Sequence, residues 1–555
     1  AASHAPDPDV GSYPQDFPLI TATGVFLLHR YHLTDEKPGR YRHRICRLSL
    51  NILLKYYKLY KLWKGTLHMK LPSWIRKDVL EISLPVMIEQ TMVTLMGMIN
   101  AIMASRIGSE AVSAIGMVDA LNMLIISILS AIAIGGTVVV SHYYGREDGS
   151  GVRCTIGQSL LGSLLVSFAI TLVFTLAGRN ILSLLYGAVN SRVMGYMTVY
   201  MKIVILGYPF IAVTSMVAGV LRGSGDPKAA MWITLLMNST NVILTYILIY
   251  GFPFGLFHFH GFGFTGAPVG ITLARFIGAV YALVLLRRKQ GPGGSLLQFE
   301  HIRRFKWDVL RSVFRIGVPA SLESVIFQVG KLLTQTYIVS MGVAAMAANY
   351  IAGSVFNISN IPGLALTTAA ITMVGQHMGR GHEKDAKSVL TYTLLAAMAL
   401  LVVPCTLLLF VGRPLIALYT TDPEVKRLLI PIIQSSVIAL PLFWPASFLL
   451  PAGLKGAGDT TYTLLTSIIG MWVFRVAGGY ILGVSLGLGV FGVWLGMYLD
   501  WIVRAGLYYK RLQGDRWTRH QILRDPAGDG IPAVSCETAG DLLQDSNPGW
   551  DSKPG

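Results

Sequence analysis

Long apolar runs alternate with short polar or basic stretches along most of this chain. About twelve runs are long enough for a helix to cross a bilayer. They cover roughly residues 78–104, 111–143, 153–177, 194–221, 228–250, 266–286, 311–340, 343–377, 386–411, 425–453, 460–483 and 488–510. The longer ones have room to tilt. Inside the first run, Leu80–Gly108, sits Glu89, one turn after Pro85. A carboxylate at that depth is costly unless it faces a partner or a watery cavity. Glu89 and Asn100 fall on nearly one helix face, with Met92, Val93 and Met96 between them.

The pattern returns in Arg315–Gly342, where Pro319, Glu323 and Gly342 repeat Pro85, Glu89 and Gly108 at one shift (319 − 85 = 234). Gly145-Arg146 likewise returns as Gly379-Arg380, and LRGSGD (Leu221–Asp226) returns as LKGAGD (Leu454–Asp459). The halves are therefore duplicated, each opening with a kinked, glutamate-bearing helix. Six spans per half give both the same orientation, with an axis near the membrane normal and a cavity at their interface. The fold class predicted is an all-α membrane protein, with about twelve transmembrane helices in two pseudo-symmetric six-helix bundles. The bundles take residues 71–290 and 311–513. A cytoplasmic linker at 291–310 carries GPGG (Gly291–Gly294).

Composition agrees. The chain is 53% hydrophobic and 14% charged, where a soluble protein carries roughly a quarter charged residues. The formal charge of +17 follows from basic residues collected on one side. These include Arg146, Arg153, Arg222, Lys228, Arg287, Arg288 and Lys289, then Arg380, Lys384, Lys455, Lys510 and Arg511. The positive-inside rule makes that side cytoplasmic and puts both termini inside. No basic patch of the nucleic-acid kind interrupts the core. Cys46, Cys154, Cys405 and Cys536 form neither a zinc pattern nor a disulfide framework. Residues 1–70 are basic and unlike the rest. They read as a non-native or disordered extension, with Met69-Lys70 as the expected true start. Leu48–Trp63 alternatively reads as a membrane-surface helix. Residues 514–555 are polar and expected to be disordered.

Glu89 and Glu323 are the leading candidates for ion coupling. A glutamate facing a cavity can exchange a proton, bind sodium or attract a cation. Gln90, Gln328, Asn100, Asn238 and Asn241 can line a pathway, or simply hydrogen-bond between helices. Lys331 lies two turns beyond Glu323, off its face by about 80°. Met92, Met96 and Met98, with Tyr208, Phe210 and Trp444, suit an adaptable drug wall or ordinary packing. Asp119, Arg275, Asp500 and Arg504 read as structural, the last two as a pair four residues apart. The Gly-x-Gly of the repeated turns follows a helix and not a strand, and no Walker A sequence is present. An ion gradient, not a nucleotide, is the expected energy source.

These stretches resemble the multidrug and toxic compound extrusion (MATE) transporters. The resemblance covers about residues 75–515. It is carried by LPVMIEQTMVTLMGMINAIMASRIG, LRGSGDPK, GVPASLESVIFQVGKL, LKGAGD, NISNIPGLALTTAAITMVGQHMGRG and GVWLGMYLDWIVRAGLYYKRL. It implies two six-helix bundles, alternating access, and export of organic cations against inward protons or sodium. Many members carry an aspartate where this chain has Asn100, and some carry a glutamate where it has Phe327. Asparagine can coordinate a cation but cannot carry a proton. The ionisable duty then falls to Glu89 or Glu323. The site residues expected are Glu89, Glu323 and Asn100 for the ion, and Met92, Met96, Gln90, Gln328, Asn238 and Lys331 for the substrate. No cofactor is expected beyond the coupling ion, Na+ or H+. The partners expected are a cationic small molecule and the lipid bilayer, for a monomer in the cell inner (plasma) membrane. A lipid-intermediate flippase of related architecture is the alternative. An enzyme is not expected, since no acidic or histidine cluster marks a membrane face.

Overall fold

The computed structural model describes residues 73–522, except 106–107, 188–189, 255–256, 292–293 and 521. The basic extension at 1–70 and the tail beyond 522 lie outside the described residues. The first half holds α1 (Ser73–Ser105), α2 (Ser109–Gly145), α3 (Gly149–Tyr186), α4 (Ser191–Ile205), α5 (Tyr208–Gly223), α6 (Pro227–Tyr250) and α7 (Gly266–Arg288). After the short α8 (Phe299–Arg303), the second half holds α9 (Trp307–Ser340), α10 (Val343–Ser359), α11 (Ile361–Gly379), α12 (Glu383–Tyr419), α13 (Pro423–Gly456), α14 (Thr460–Ser485) and α15 (Gly489–Gln513). Two small hairpins, Phe252–Phe254 with Phe257–Phe259 and Gln290–Gly291 with Gly294–Ser295, lie in loops.

Among the described residues ten helices can each cross a bilayer, and two bent pairs add two spans. Helices α4 and α5 meet at 48°, and α10 and α11 at 53°. Pro209 and Pro362 stand in the first turn after each break, where a proline costs no hydrogen bond. Pro85 and Pro319, in contrast, lie within continuous helices. Aspartates start several spans: Asp148 accepts from Gly151 N–H at 2.8 Å and Asp226 from Ala229 N–H at 3.0 Å. Outer faces are apolar, as a lipid solvent requires: Leu172, Leu176 and Leu184 of α3 are all exposed.

Each half packs around its own core. Val118, Met197, Tyr200 and Tyr208 bury one end of the first bundle, and Met216, Val217, Ile233 and Leu286 the other. Leu401, Leu429, Trp444 and Trp501 centre the second. A further cluster joins the halves: Val138 and Val139 of α2 meet Val313 and Ile316 of α9, Ile371 of α11 and Ala452 of α13.

Two segments read as loops are more ordered than the sequence suggests. The linker is pinned by Gln158 of α3, which donates to the Arg304 carbonyl at 2.8 Å and accepts from Lys306 N–H at 3.0 Å. The expectation of disorder from residue 514 fails at its start, because Trp517 is fully buried and His520 meets Asp459 at 3.2 Å. A polar composition hid one aromatic anchor.

Candidate functional site

The two glutamates are not bare. Glu89 of α1 accepts from Nη1 of Arg222 through both oxygens, at 3.1 Å each, and from the Thr234 hydroxyl at 3.0 Å. Glu323 of α9 takes Lys455 Nζ at 2.9 Å and the Ser467 hydroxyl at 3.0 Å. Arg222 and Lys455 are the basic residues of LRGSGD and LKGAGD. Thr234 and Ser467 lie on the helices that follow. The duplication has therefore repeated a whole acid–cation–hydroxyl set. Sequence reasoning chose the acids and missed their partners. The shared basic second letter of the two turns was the available signal.

Both turns bend through a glycine with positive φ, Gly225 at 83° and Gly458 at 91°, a conformation glycine adopts without strain. The aspartates that follow are clamped by the last span of each half. Asp226 pairs with Lys289, and Asp459 with Arg511 Nε at 2.7 Å. Asp226 also caps its helix, whereas the Asp459 side chain makes no capping bond.

The halves touch at these same turns. His142 of α2 donates from Nε2 to the Gly456 carbonyl at 2.9 Å, and Gln376 of α11 donates to the Gly223 carbonyl at 3.1 Å. Gly145 and Gly379 let α2 and α11 pass in near contact. A Cβ on the first would strike the Gln376 carbonyl, and one on the second the His142 carbonyl. The basic face of the molecule is thus closed. Ser321 to the Ile128 carbonyl at 3.2 Å and Gln328 to the Ser127 hydroxyl at 3.3 Å carry the contact deeper.

The remaining candidates separate by bundle. Asn100 donates to Asn241 Oδ1 at 3.0 Å, while among the described residues its own buried Oδ1 finds no hydrogen-bond partner, nor does Nδ2 of Asn238. Met92, Met96 and Gln90 are half-buried along α1. Lys331 does not pair with Glu323, whose charge Lys455 takes. Its Nζ lies 5.6 Å from the Phe327 ring centre. Asp500 and Arg504 form the pair the spacing suggests, at 2.7 Å and almost wholly buried. Asp119 belongs to a network at the α4–α5 break: it accepts from Asn122 at 3.1 Å and Tyr200 at 3.2 Å, and Tyr208 donates to Asn122 at 2.7 Å.

The MatE family model matches this chain twice, over residues 85–247 and 319–481. The chain belongs to the MatE family. The probable multidrug resistance protein NorM of Thermotoga maritima is 25% identical over 468 residues, covering 84% of this chain and 98% of its own. A solved outward-facing multidrug resistance MATE transporter superposes with TM-score 0.72 at 20% identity, over 79% of this chain and 96% of its own. A MATE crystallised with MaL6 gives the same TM-score at 21% identity, again over 79% and 96%. Each MatE segment of this chain opens on its proline, and each contains its complete set: Glu89, Arg222 and Thr234 in one, Glu323, Lys455 and Ser467 in the other. This is a multi-pass membrane transporter of the multidrug efflux type.

Proposed function

We propose that the chain exports small organic molecules by alternating access, driven by inward passage of a proton or a sodium ion at Glu89 and Glu323. The observation that carries this reading is adjacency. The carbonyls that hold the halves together belong to Gly223 and Gly456, each next in sequence to the cation that grips a glutamate. Neutralising Glu89 with a proton, or occupying it with sodium, weakens its hold on Arg222. The turn that supplies Gly223 then loosens, and with it the bond from Gln376. The mirrored chain of contacts runs from Glu323 through Lys455 to Gly456 and His142. An ion that binds the two states unequally shifts their balance; one that binds them equally does nothing.

In this reading the basic face is cytoplasmic, both termini are inside, and the closed face makes this the outward-open state. The unpartnered Asn100 carbonyl offers sodium an oxygen ligand near the first helix, which favours testing sodium as seriously as protons. Organic cations are the cargo class the resemblance implies, and a monomer in the plasma membrane is the working unit. The test is ethidium movement in proteoliposomes with pH and sodium gradients imposed one at a time. One gradient, and not the other, should drive export. Transport indifferent to both would overturn the coupling.

A further inference from the structure

Three helices of the second bundle bring cations to one aromatic ring. Around the centre of Phe327 of α9 stand Lys331 Nζ at 5.6 Å, the Arg475 guanidinium of α14 at 5.4 Å and that of Arg504 of α15 at 5.7 Å. Arg504 also lies 4.6 Å from the Phe448 ring of α13. Asp500 answers Arg504. Among the described residues, Lys331 and Arg475 have no carboxylate at ion-pair distance, and Glu323 is taken by Lys455. Three cations therefore share one carboxylate at membrane depth, where uncompensated charge is unfavourable. Lys331 keeps exposed surface, and Arg475, Phe327 and Phe448 are half-buried. An aromatic wall adjoins it. Phe327 meets Phe448 edge-on at 5.9 Å, and Trp444 stacks on Phe448 at 4.9 Å.

The backbone gives a second, independent sign. Gly470–Ala477 of α14 is π-helical. The shift between the halves is 233 at Asp226 and Asp459 (459 − 226) but 234 at Tyr246 and Tyr480 (480 − 246). One residue has thus been added between those points in the second half. A π-turn is how a helix carries one extra residue, and such turns gather at functional sites. Arg475 stands within that stretch. The corresponding part of the first bundle holds the neutral Asn241, bonded to Asn100.

Resting on the exporter reading but departing from the cationic cargo the resemblance implies, we propose that the second bundle binds an aromatic organic anion, a carboxylate or sulfonate. Its acid group lies between Lys331 and Arg475 and its ring against Phe327 and Phe448, which the buried Trp444 backs. A small inorganic anion would leave the aromatic wall unused, and an organic cation would meet net positive charge.

The test uses the full chain in phosphatidylcholine vesicles with radiolabelled salicylate, and with tetraphenylphosphonium as the cationic probe. Salicylate should bind saturably, and Lys331→Gln and Arg475→Gln should each weaken it about tenfold or more. Lys331→Arg, which keeps the charge, should retain binding and shows that the site still folds. Tetraphenylphosphonium should bind more tightly to Lys331→Gln than to the parent. Equal salicylate binding in parent and glutamine variants would refute the site, as would a parent that takes the cation and refuses the anion. Loss of salicylate on adding phosphatidylglycerol would overturn the free-anion assignment in favour of a lipid headgroup. Ethidium export in the same vesicles separates the two readings. Export without salicylate binding sinks the anion site alone; salicylate binding without gradient-driven transport of either compound sinks the exporter alone.

Discussion

His142 and Gln376 are equivalent residues of the two halves (376 − 142 = 234), and each bonds to the other half's turn. Such an exchange is what an axis between duplicated bundles produces when the bundles close on one face. It is local and polar, and it sits over the apolar contact of Val138, Val139, Val313 and Ile316. Wetting that contact costs roughly 1.5–3 kcal/mol per side chain, so opening must be offset by closure elsewhere or by ion binding. The hydrogen bonds are the smaller term, but they are the part that the glutamate–cation pairs reach.

Replacing His142 or Gln376 by leucine should therefore favour separation of the basic face. Each bond contributes about 1 kcal/mol net, so each variant should shift the ratio of separated to closed molecules roughly fivefold, and the double variant further. Spin labels at Glu147 and Glu383, just past the ends of α2 and α11, read that ratio as a distance distribution. An unchanged distribution in the double variant would show that the exchange is incidental to the closed state.

Glu89→Gln should abolish export. It also leaves Arg222 without a countercharge, at a cost on the order of 3 kcal/mol, less what the glutamine hydrogen bond retains. Arg222→Met in the same molecule removes that orphaned charge and should recover thermal stability. If Glu89 carries the ion, export stays lost in the recovered double variant. Restored export would make the acid scaffolding. Glu323→Gln with Lys455→Met runs the same comparison in the other half.

Asp459 makes the stability of the fold depend on pH. Burial pushes its carboxyl up, but hydrogen bonds and charges from His520 and Arg511 outweigh this and hold it below its ordinary value of 3.8. A carboxylate whose folded value is depressed stabilises the fold above its unfolded value and loses that contribution as pH falls through the folded one. The clamp of Asp459 on Arg511 of α15 and on His520 should hold from neutral pH down to about pH 4 and weaken below. Melting of parent and Asp459→Asn in detergent should differ above that point and converge beneath it. A gap that closes already between pH 7 and 5 would assign the effect to another group.

The spans and the duplication were legible because both are periodic: apolar length marks a crossing, and Pro85 with Pro319, or LRGSGD with LKGAGD, marks a repeat. Glu89 and Glu323 stood out as charges in apolar runs. Their partners did not, since Arg222 and Lys455 looked like loop cations and reach the acids only through the fold. The pairing of His142 with Gln376 was equally hidden, because the equivalent residues differ in type and share only the ability to donate. Trp517 lay in a polar tail with no periodicity. The added residue in α14 was visible only as a drift of one in the shift, which is meaningless until a helix is seen to absorb it.

That added residue yields the last prediction. Val473 is exposed on the π-helical stretch, away from the cation cluster. Deleting it brings the second half to the length of the first between Asp459 and Tyr480, and lets the Gly470–Ala477 stretch take regular α bonds, while the separate π-helical turn at Ile481–Ser485 stays as it is. Residues before the deletion keep their places, so Ser467 still reaches Glu323. Arg475 then turns by about 100° relative to them and leaves Phe327. Residues after Tyr480 shift by one, which the glycine-rich turn at Gly487 and Gly489 can take up. The shortened chain should insert and melt close to the parent, yet bind salicylate at least tenfold more weakly, in line with loss of one charge contact. Parental affinity in a well-folded deletion variant would mean that the π-turn is not what aims Arg475. A variant that fails to fold is itself informative when compared with deletion of Leu486 beyond the stretch: if only the Val473 deletion unfolds, the extra residue serves packing, and the backbone argument for the anion site falls.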